Sequence, residues 1–144
     1  MALTQVDFYV LRTPADGGRF QLACRLAEKA WRQGHRVLIG TDSESQALHV
    51  DRLLWTFRDQ SFVPHGLLGR VDPMLNPVLV TSGEDAGEEH DVLINLAEQV
   101  PAFFSRFLRV AECVDTDPAV RAASRLRFRY YRDHGYPLNT VEVS

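Results

Sequence analysis

Five side chains near the C-terminus combine positive charge with an aromatic ring. At about 100° per residue of an α-helix, they fall within one arc of roughly a quarter to a third of the circumference. Arginine suits two-point recognition of carboxylate or phosphate groups. The stripe therefore predicts a surface that binds an acidic peptide with an aromatic anchor, or single-stranded nucleic acid. Its members are Arg121, Arg125, Phe128, Arg129 and Arg132.

Positive charge is concentrated in this segment of the chain. Residues 118–134 contain five arginines and one aspartate, a local charge of +4, so the net charge of −3 leaves −7 for the other residues. A charged stripe is most often a solvated helix face. An aromatic side chain such as Phe128 is not expected on a face that only contacts solvent. Arg127 lies on a different face and is expected to serve as a neutral control. The side away from the stripe carries Ala123, Leu126 and Tyr130.

A second group of apolar and aromatic residues follows the middle of the chain. For any one of them, burial beneath a loop is the commoner fate. As a group they exceed what a short loop needs to bury, and an exposed aromatic patch of this kind would be a protein interface. The group comprises Leu54, Trp55, Phe57, Phe62, Val63 and Pro64.

Motifs for catalysis and for phosphate binding are missing from the sequence. The segment RTPADGGRF contains neither GxGxxG nor GxxxxGK[ST], so no backbone cradle for phosphates is encoded. Neither GxSxG nor HExxH occurs, and the five histidines have no metal-face spacing. The acidic run ending in His90 and Asp91 is more simply a charged loop. We therefore expect no catalytic residue, no cofactor and no metal.

Strand-like and helix-like patterns alternate along the chain, and the elements that they predict must position these residues. Such alternation with short connections is typical of an α/β domain in which helices cover both faces of a mostly parallel sheet. Apolar runs predict strands at 5–11, 36–40, 77–82, 90–96 and 107–114. Helical spacing predicts helices at 20–33, from the N-cap candidates at 41–43 through Leu54, and at 118–134.

The remaining segments are predicted as loops. Residues 56–77 form a long loop that keeps apolar residues, and such loops are more often functional than idle. Residues 101–107 are predicted to form one short helical turn that begins at Pro101. The tail that follows Gly135 is predicted to be extended.

Length and composition limit the class of protein. A chain of 144 residues that is 45% hydrophobic fits a single domain over residues 1–144. The net charge of −3 argues against general affinity for a nucleic-acid backbone. Cys24 and Cys113 lie in apolar stretches without CxxC spacing, which predicts reduced core cysteines. With no secretory signal and no apolar run long enough for a bilayer, we expect a cytoplasmic protein without membrane contact.

Several blocks together resemble the chi subunit family of bacterial DNA polymerase III. They occur in that family's order and cover nearly the whole chain. The most specific patterns are W-x-x-G-x-R-V-L-I, S-F-V-P-H and Y-R-x-x-G-x-x-L-N-T. The blocks read AEKAWRQGHRVLIGT, SESQALHVDRLLWTF, SFVPHGL, HDVLINL and RFRYYRDHGYPLNT.

The resemblance implies a Rossmann-like α/β domain without nucleotide binding. It also implies a non-catalytic, accessory role in the clamp-loader assembly of a DNA-directed DNA polymerase. Members of the family bridge two partners, so contact with DNA is indirect. One partner is the psi subunit of DNA polymerase III, or a helicase on the same surface. The other is the acidic C-terminal tail of single-stranded DNA-binding protein, which ends in phenylalanine.

Both partner surfaces carry over to residues already singled out. The resemblance implies tail binding by Arg121, Arg125, Phe128, Arg129 and Arg132. It implies psi or helicase binding by Trp55, Phe62, Val63 and Pro64. Phe128 stands where the family often has tyrosine, and arginine replaces lysine at 121 and 129. The alternatives are an enzyme that uses a nucleotide or sugar phosphate, and direct binding of single-stranded DNA by the arginine helix.

Overall fold

The structure is a computed structural model that describes residues 3–60 and 62–143. Ser61, which begins the SFVPH block, and Ser144, which ends the predicted extended tail, lie outside the described residues. The helices are α1 (Gly18–Arg32), α2 (Glu44–Thr56) and α3 (Pro118–Asp133). A short 3₁₀ turn covers Phe104–Arg106. The strands are β1 (Gln5–Leu11), β2 (Val37–Thr41), β3 (His65–Leu67), β4 (Val78–Ser82), β5 (Val92–Asn95), β6 (Arg109–Val114) and β7 (Leu138–Val143).

The strands form one parallel sheet in the order β3-β4-β2-β5-β6-β1-β7. All five residues of β2 are buried, as expected for a central strand with both faces covered. β1 lies between β6 and β7, with Val6 opposite both Val110 and Leu138. The predicted Rossmann-like α/β class is confirmed.

Each face of the sheet has its own apolar core. On one face α1 and α2 pack through residues such as Leu22, Val50 and Leu54 against strand residues such as Ile39. On the other face α3 and the segment after β5 cover a second core that includes Phe8, Phe103, Phe104, Phe107 and Tyr131. The two helices before β3 and the single helix after β6 are therefore on opposite sides of the sheet.

Local signals explain where the helices begin and end. Ser43 caps α2, and its side chain accepts a hydrogen bond from the Gln46 N–H at 3.1 Å. Asp117 caps α3 by accepting the N–H groups of Ala119 at 2.8 Å and Val120 at 3.4 Å. Pro118 occupies the first turn of α3. Gly135 follows α3 with φ 79°, a left-handed conformation that glycine adopts easily.

Two strands differ from the sequence prediction. β3 lies inside the segment 56–77 that was predicted as a loop, because its three residues are too few to show a period. The predicted extended tail is a full edge strand, β7, which pairs in parallel with β1. Cys24 and Cys113 are buried free thiols, which confirms the prediction of core cysteines.

Candidate functional site

Helix α3 rests on the sheet through a mixed polar and aromatic side. Ser124, Arg127 and Tyr131 are its buried residues. Phe128 is half-buried, and its ring meets that of Phe8 edge-on at 5.3 Å between centroids. Phe128 was predicted to stand among the arginines at the surface. It instead contributes at least part of its ring to the core beneath them.

The four arginines of the predicted stripe lie in two kinds of environment. The Arg121 guanidinium donates to the backbone carbonyls of Asp115 at 3.1 Å and Leu11 at 3.0 Å, which fixes it near the ends of β6 and β1. Arg125, Arg129 and Arg132 are exposed. Arg132 pairs with its exposed neighbour Asp133 at 3.1 Å. Among the described residues, Arg125 and Arg129 form no ion pair.

Arg127 is a core residue, which makes it unsuitable as the neutral control. Its Nε donates to Glu112 Oε1 at 2.9 Å, and its Nη1 donates to the backbone carbonyl of Glu98 at 2.9 Å. Both members of the ion pair are buried. Removing Arg127 would leave the Glu112 carboxylate buried without its counter-charge.

Glu112 is the centre of a buried hydrogen-bond network that joins α3 to the sheet. Asn95 on β5 donates to Glu112 Oε1 at 3.2 Å and Oε2 at 3.0 Å. The Tyr131 hydroxyl donates to Oε2 at 2.8 Å. Burial raises the pKa of Glu112, and the charge of Arg127 opposes that shift. Burial and the Glu112 charge raise the pKa of Tyr131, so its hydroxyl keeps the proton that it donates.

A groove runs along the flank of α3 opposite the arginines. Its volume is about 550 Å³, and its walls include Pro101 and Phe104 from the segment after β5. Leu126 and Tyr130 line it and are 64% and 41% exposed. Helical spacing correctly separates these residues from the arginine stripe. Helical spacing does not predict that the side with Leu126 and Tyr130 lines a groove, or that Arg127 lies on the buried side.

The predicted aromatic patch is only partly exposed. Trp55 and Phe62 are 63% and 75% exposed, which confirms the expectation that both reach the surface. Val63, which was also predicted to contact the partner, is 3% exposed and belongs to the core beneath α2, so its side chain is covered in this structure. Pro64 is half-buried. Phe62 is therefore exposed where its neighbour Val63 is buried.

His65 supports the patch from below, a role that its sequence position does not reveal. Its buried ring meets the Trp55 indole edge-on, with centroids 4.6 Å apart. One ring nitrogen lies 2.7 Å from the Val63 carbonyl oxygen, and the other lies 3.0 Å from that of Asp51. His65 therefore joins β3, the segment before it and α2.

Aspartates of the chain itself accept two backbone N–H groups in the crevices where this kind of fold binds phosphates. Such ligands take backbone N–H groups at the carboxyl ends of the strands and at helix N-termini. After β6, Asp115 accepts the Arg19 N–H in the first turn of α1 at 3.3 Å. After β2, the Asp42 carboxylate accepts the Glu98 N–H at 3.0 and 3.1 Å. These N–H groups are already satisfied.

The described part of the chain offers neither a metal site nor a membrane-spanning helix. No cluster of three or more His, Cys, Asp and Glu side chains there is arranged to hold a metal ion. Within residues 3–60 and 62–143, no helix has the length and apolar character needed to cross a membrane.

The fold resembles that of a much larger protein. The crystal structure of T4 UvsW matches with a TM-score of 0.63 and 10% sequence identity. The match covers 96% of this chain and 41% of the UvsW chain, so this chain spans less than half of that protein. At this level of identity the likeness concerns the fold alone.

Sequence comparisons give the family. The family model "DNA polymerase III chi subunit, HolC" matches residues 3–139. A DNA polymerase III subunit chi from Pseudomonas aeruginosa is 46% identical over 136 residues, covering 94% of each chain. The Escherichia coli K12 subunit chi is 35% identical, with 96% of this chain and 98% of the relative covered. The Haemophilus influenzae subunit chi is 34% identical, with 95% and 96% covered. The chain therefore belongs to the DNA polymerase III chi subunit family.

Proposed function

We propose that this chain is a non-catalytic replication adaptor. Membership of the chi subunit family supports an accessory role within the DNA polymerase III assembly. In this proposal α3 binds the acidic C-terminal tail of single-stranded DNA-binding protein. The surface around Trp55 and Phe62 binds the psi subunit, or a helicase in its place. The protein works in the cytoplasm and reaches DNA through its partners.

The exposed cations of α3 are the observation that carries the proposal. Arg125 and Arg129 are one helical turn apart and exposed, and neither is neutralised by an ion pair with another described residue. A guanidinium of this kind can clamp a carboxylate through two parallel hydrogen bonds. Because the rest of the chain is acidic, an acidic peptide is attracted to this helix and repelled elsewhere.

The second surface has the properties of an interface anchor. Trp55 and Phe62 are large, exposed aromatic side chains, and such residues commonly dominate the binding energy of protein interfaces. His65 holds the Trp55 ring from below, so little conformational entropy is lost when a partner packs on it. Pro64 continues this surface, and Val63 supports it from the core.

The two surfaces lie on opposite faces of the sheet. α2 and the segment before β3 pack with one core, whereas α3 packs with the other. One partner can therefore bind without blocking the other. This arrangement suits a protein that connects two partners.

Two alternative functions are less well supported. A nucleotide or sugar-phosphate enzyme would need free N–H groups at the strand ends, but Asp115 and Asp42 already accept those of Arg19 and Glu98. Direct binding of single-stranded DNA would use stacking platforms among the cations. Phe128 is half-buried against Phe8 and offers only part of its ring for stacking.

Three parallel titrations separate these functions. The purified chain is titrated with a fluorescent acidic tail peptide, with an oligonucleotide of single-stranded DNA, and with ATP. We expect saturable binding of the peptide that weakens as salt is raised. A peptide without its terminal phenylalanine should bind more weakly. Tighter binding of the oligonucleotide than of the peptide would contradict the proposal and favour direct DNA binding.

A further inference from the structure

We propose that Glu112 is a positioning residue that sets the rotation of α3 and thereby aims its arginines outward. The inference rests on the proposed function of α3 as the tail-binding helix. Glu112 is fully buried, so it can act on a partner only through other residues. Its effect passes through the buried network that it forms with Arg127, Tyr131 and Asn95.

The geometry of the network specifies one rotation of the helix. Arg127 and Tyr131 are one turn apart on α3, and both donate to the same carboxylate at 2.9 and 2.8 Å. A rotation of the helix by one residue, about 100°, would remove both donors from Glu112. Asn95 holds that carboxylate from the neighbouring strand, where it is paired in register with Glu112. The acceptor, Glu112, is therefore fixed on the sheet, whereas the donors Arg127 and Tyr131 move with the helix.

Apolar packing alone would not specify the rotation as sharply. Around the network, α3 contributes Val120, Phe128 and Tyr131 to the core, and dispersion contacts of this kind tolerate small rotations. Hydrogen bonds to a buried charge are directional, and breaking them leaves that charge without compensation. Buried polar groups can in this way select one arrangement among several that pack similarly.

The same rotation determines where the cations point. Arg125 and Arg129 each lie two positions from Arg127, which is about 200° around the helix. When Arg127 points inward to Glu112, both neighbours must therefore point outward, and both are exposed. Arg127 also donates to the Glu98 carbonyl at 2.9 Å, which fixes the adjoining segment against α3.

The test replaces the ion pair by apolar residues of similar size in the double variant Glu112→Leu/Arg127→Met. Replacing a buried ion pair in this way often costs little stability, but here the Asn95 amide and the Tyr131 hydroxyl also lose their acceptor. We therefore expect a folded variant with a lower melting temperature, and its peptide affinity is measured well below that temperature. Because a smaller fraction of molecules holds α3 in the competent rotation, affinity for the acidic peptide should fall at least about tenfold. The backbone amides of residues 119–134 should exchange hydrogen about tenfold faster than in the wild type, and those of β2 should exchange at the same rate.

A milder variant keeps the test decisive if the double variant does not fold. Tyr131→Phe retains the buried ring and removes only the hydroxyl donor to Glu112. We expect about threefold weaker peptide binding by the folded protein, faster exchange in α3 and a somewhat lower melting temperature, because the buried Glu112 carboxylate loses one hydrogen bond. A residue that contributed stability alone would lower the melting temperature without changing the affinity of the folded fraction.

The outcomes distinguish this inference from the proposed function. If the wild-type chain does not bind the peptide, or if Arg125→Ala binds it equally well, the proposal that α3 binds the tail is wrong. In that case hydrogen exchange alone tests whether Glu112 positions α3. If a folded double variant binds the peptide within about twofold of wild type, or if its α3 amides stay as protected, the positioning role is overturned. If the double variant is unfolded, unchanged peptide affinity or unchanged protection of the α3 amides in Tyr131→Phe overturns the positioning role.

Discussion

The five arginines of α3 share a residue type but not an environment. Arg127 is buried against Glu112, and Arg121 is bound to backbone carbonyls at the ends of β1 and β6. Arg125 and Arg129 are exposed, as is Arg132 with its neighbour Asp133. A positive charge that is already compensated inside the protein adds less to partner binding than one that is not. Substitutions along α3 should therefore have very different effects.

Arg125→Ala should cause a large loss of affinity for the acidic tail peptide. Loss of a hydrogen-bonded charge pair costs about 1.5–3 kcal/mol, which is roughly tenfold to a hundredfold in the dissociation constant. The measurement is fluorescence anisotropy of a labelled peptide at about 0.1 M salt, where the screening length is about 10 Å.

Arg25→Ala is the matched control for this substitution. Arg25 is an exposed arginine of α1, which packs on the other face of the sheet, and its loss changes the net charge equally. We expect the affinity to stay within about twofold of wild type, because exposed charges far from the peptide are screened. Equal losses in the two variants would mean that the peptide senses only a diffuse positive field.

The buried thiols allow a test that does not depend on any partner. Burial raises the pKa of Cys24 from 9.0 to about 12 and raises that of Cys113 as well. Because the thiolate is the reactive form, neither should react with an alkylating reagent at pH 8 in the native protein. Both should react promptly in denaturant. Rapid labelling of the native protein, followed by mass spectrometry, would mean that the core opens more readily than its packing implies.

These shifts also fix the sign of a pH effect on stability. A thiol whose pKa is higher in the folded state favours folding below its ordinary pKa of 9.0, and this contribution is lost as pH rises toward about 12. The free energy of unfolding should therefore fall with rising pH in this window, by up to about 1.4 kcal/mol per pH unit for Cys24.

At the residue scale, the sequence predicted which side chains share a face but not which face is buried. Helical periodicity correctly grouped Arg125, Arg129 and Arg132 away from Leu126 and Tyr130. It gave no sign that Arg127 points into the core. The reason is that its partner Glu112 is on β6, and hydrogen bonds formed in three dimensions do not appear in local spacing.

At the scale of elements, the end of α2 and β3 form one supporting unit for the aromatic patch. His65 on β3 contacts the Asp51 carbonyl on α2 and lies beneath the Trp55 ring. The Val63 side chain fills the core under the same helix. The patch is therefore a rigid surface in which only the outward side chains are available to a partner.

Phe62→Ala should weaken binding of the psi subunit while leaving the fold intact. The side chain is mostly exposed, so its removal creates no cavity, but aromatic anchors typically contribute 2 kcal/mol or more to an interface. We expect roughly thirtyfold weaker binding in isothermal titration calorimetry. The melting temperature of the isolated chain should not change.

Val63→Ala provides the contrast. Because Val63 is buried, its truncation should lower the free energy of unfolding by about 1–3 kcal/mol and change psi binding little. If Phe62→Ala instead unfolds the isolated chain, its side chain belongs to the core and the interface must be sought elsewhere.

The two elements that the sequence did not predict as strands are the three-residue strand β3 and the C-terminal strand β7. β1, β2 and the three helices have strong apolar patterns, and all appear within a few residues of their predicted bounds. β3 has three residues and becomes a strand only because β4 pairs with it. β7 has a largely exposed pattern and becomes a strand because the edge of β1 is available.

At the scale of the whole molecule, two backbone N–H groups near the strand ends that bind cofactors in related architectures are already bound by the protein's own carboxylates. Asp115 accepts the Arg19 N–H, and Asp42 accepts that of Glu98. Millimolar ATP or NAD should therefore leave the melting temperature unchanged, because only a ligand that binds the native state raises it. Differential scanning fluorimetry measures this directly. A saturable upward shift would contradict the adaptor proposal.

The strand order also has a consequence for synthesis on the ribosome. β2, β3, β4 and β5 can pair with one another as soon as residue 95 has emerged, whereas β1 must wait for β6 and β7 on its two sides. Such long-range pairing is intrinsically slow. The nascent chain thus carries its first strand with both edges open until β6 and β7 arrive. Because α3 is joined to the sheet through Glu112 on β6, the arginines of α3 can take their places only after residues through Asp133 have emerged.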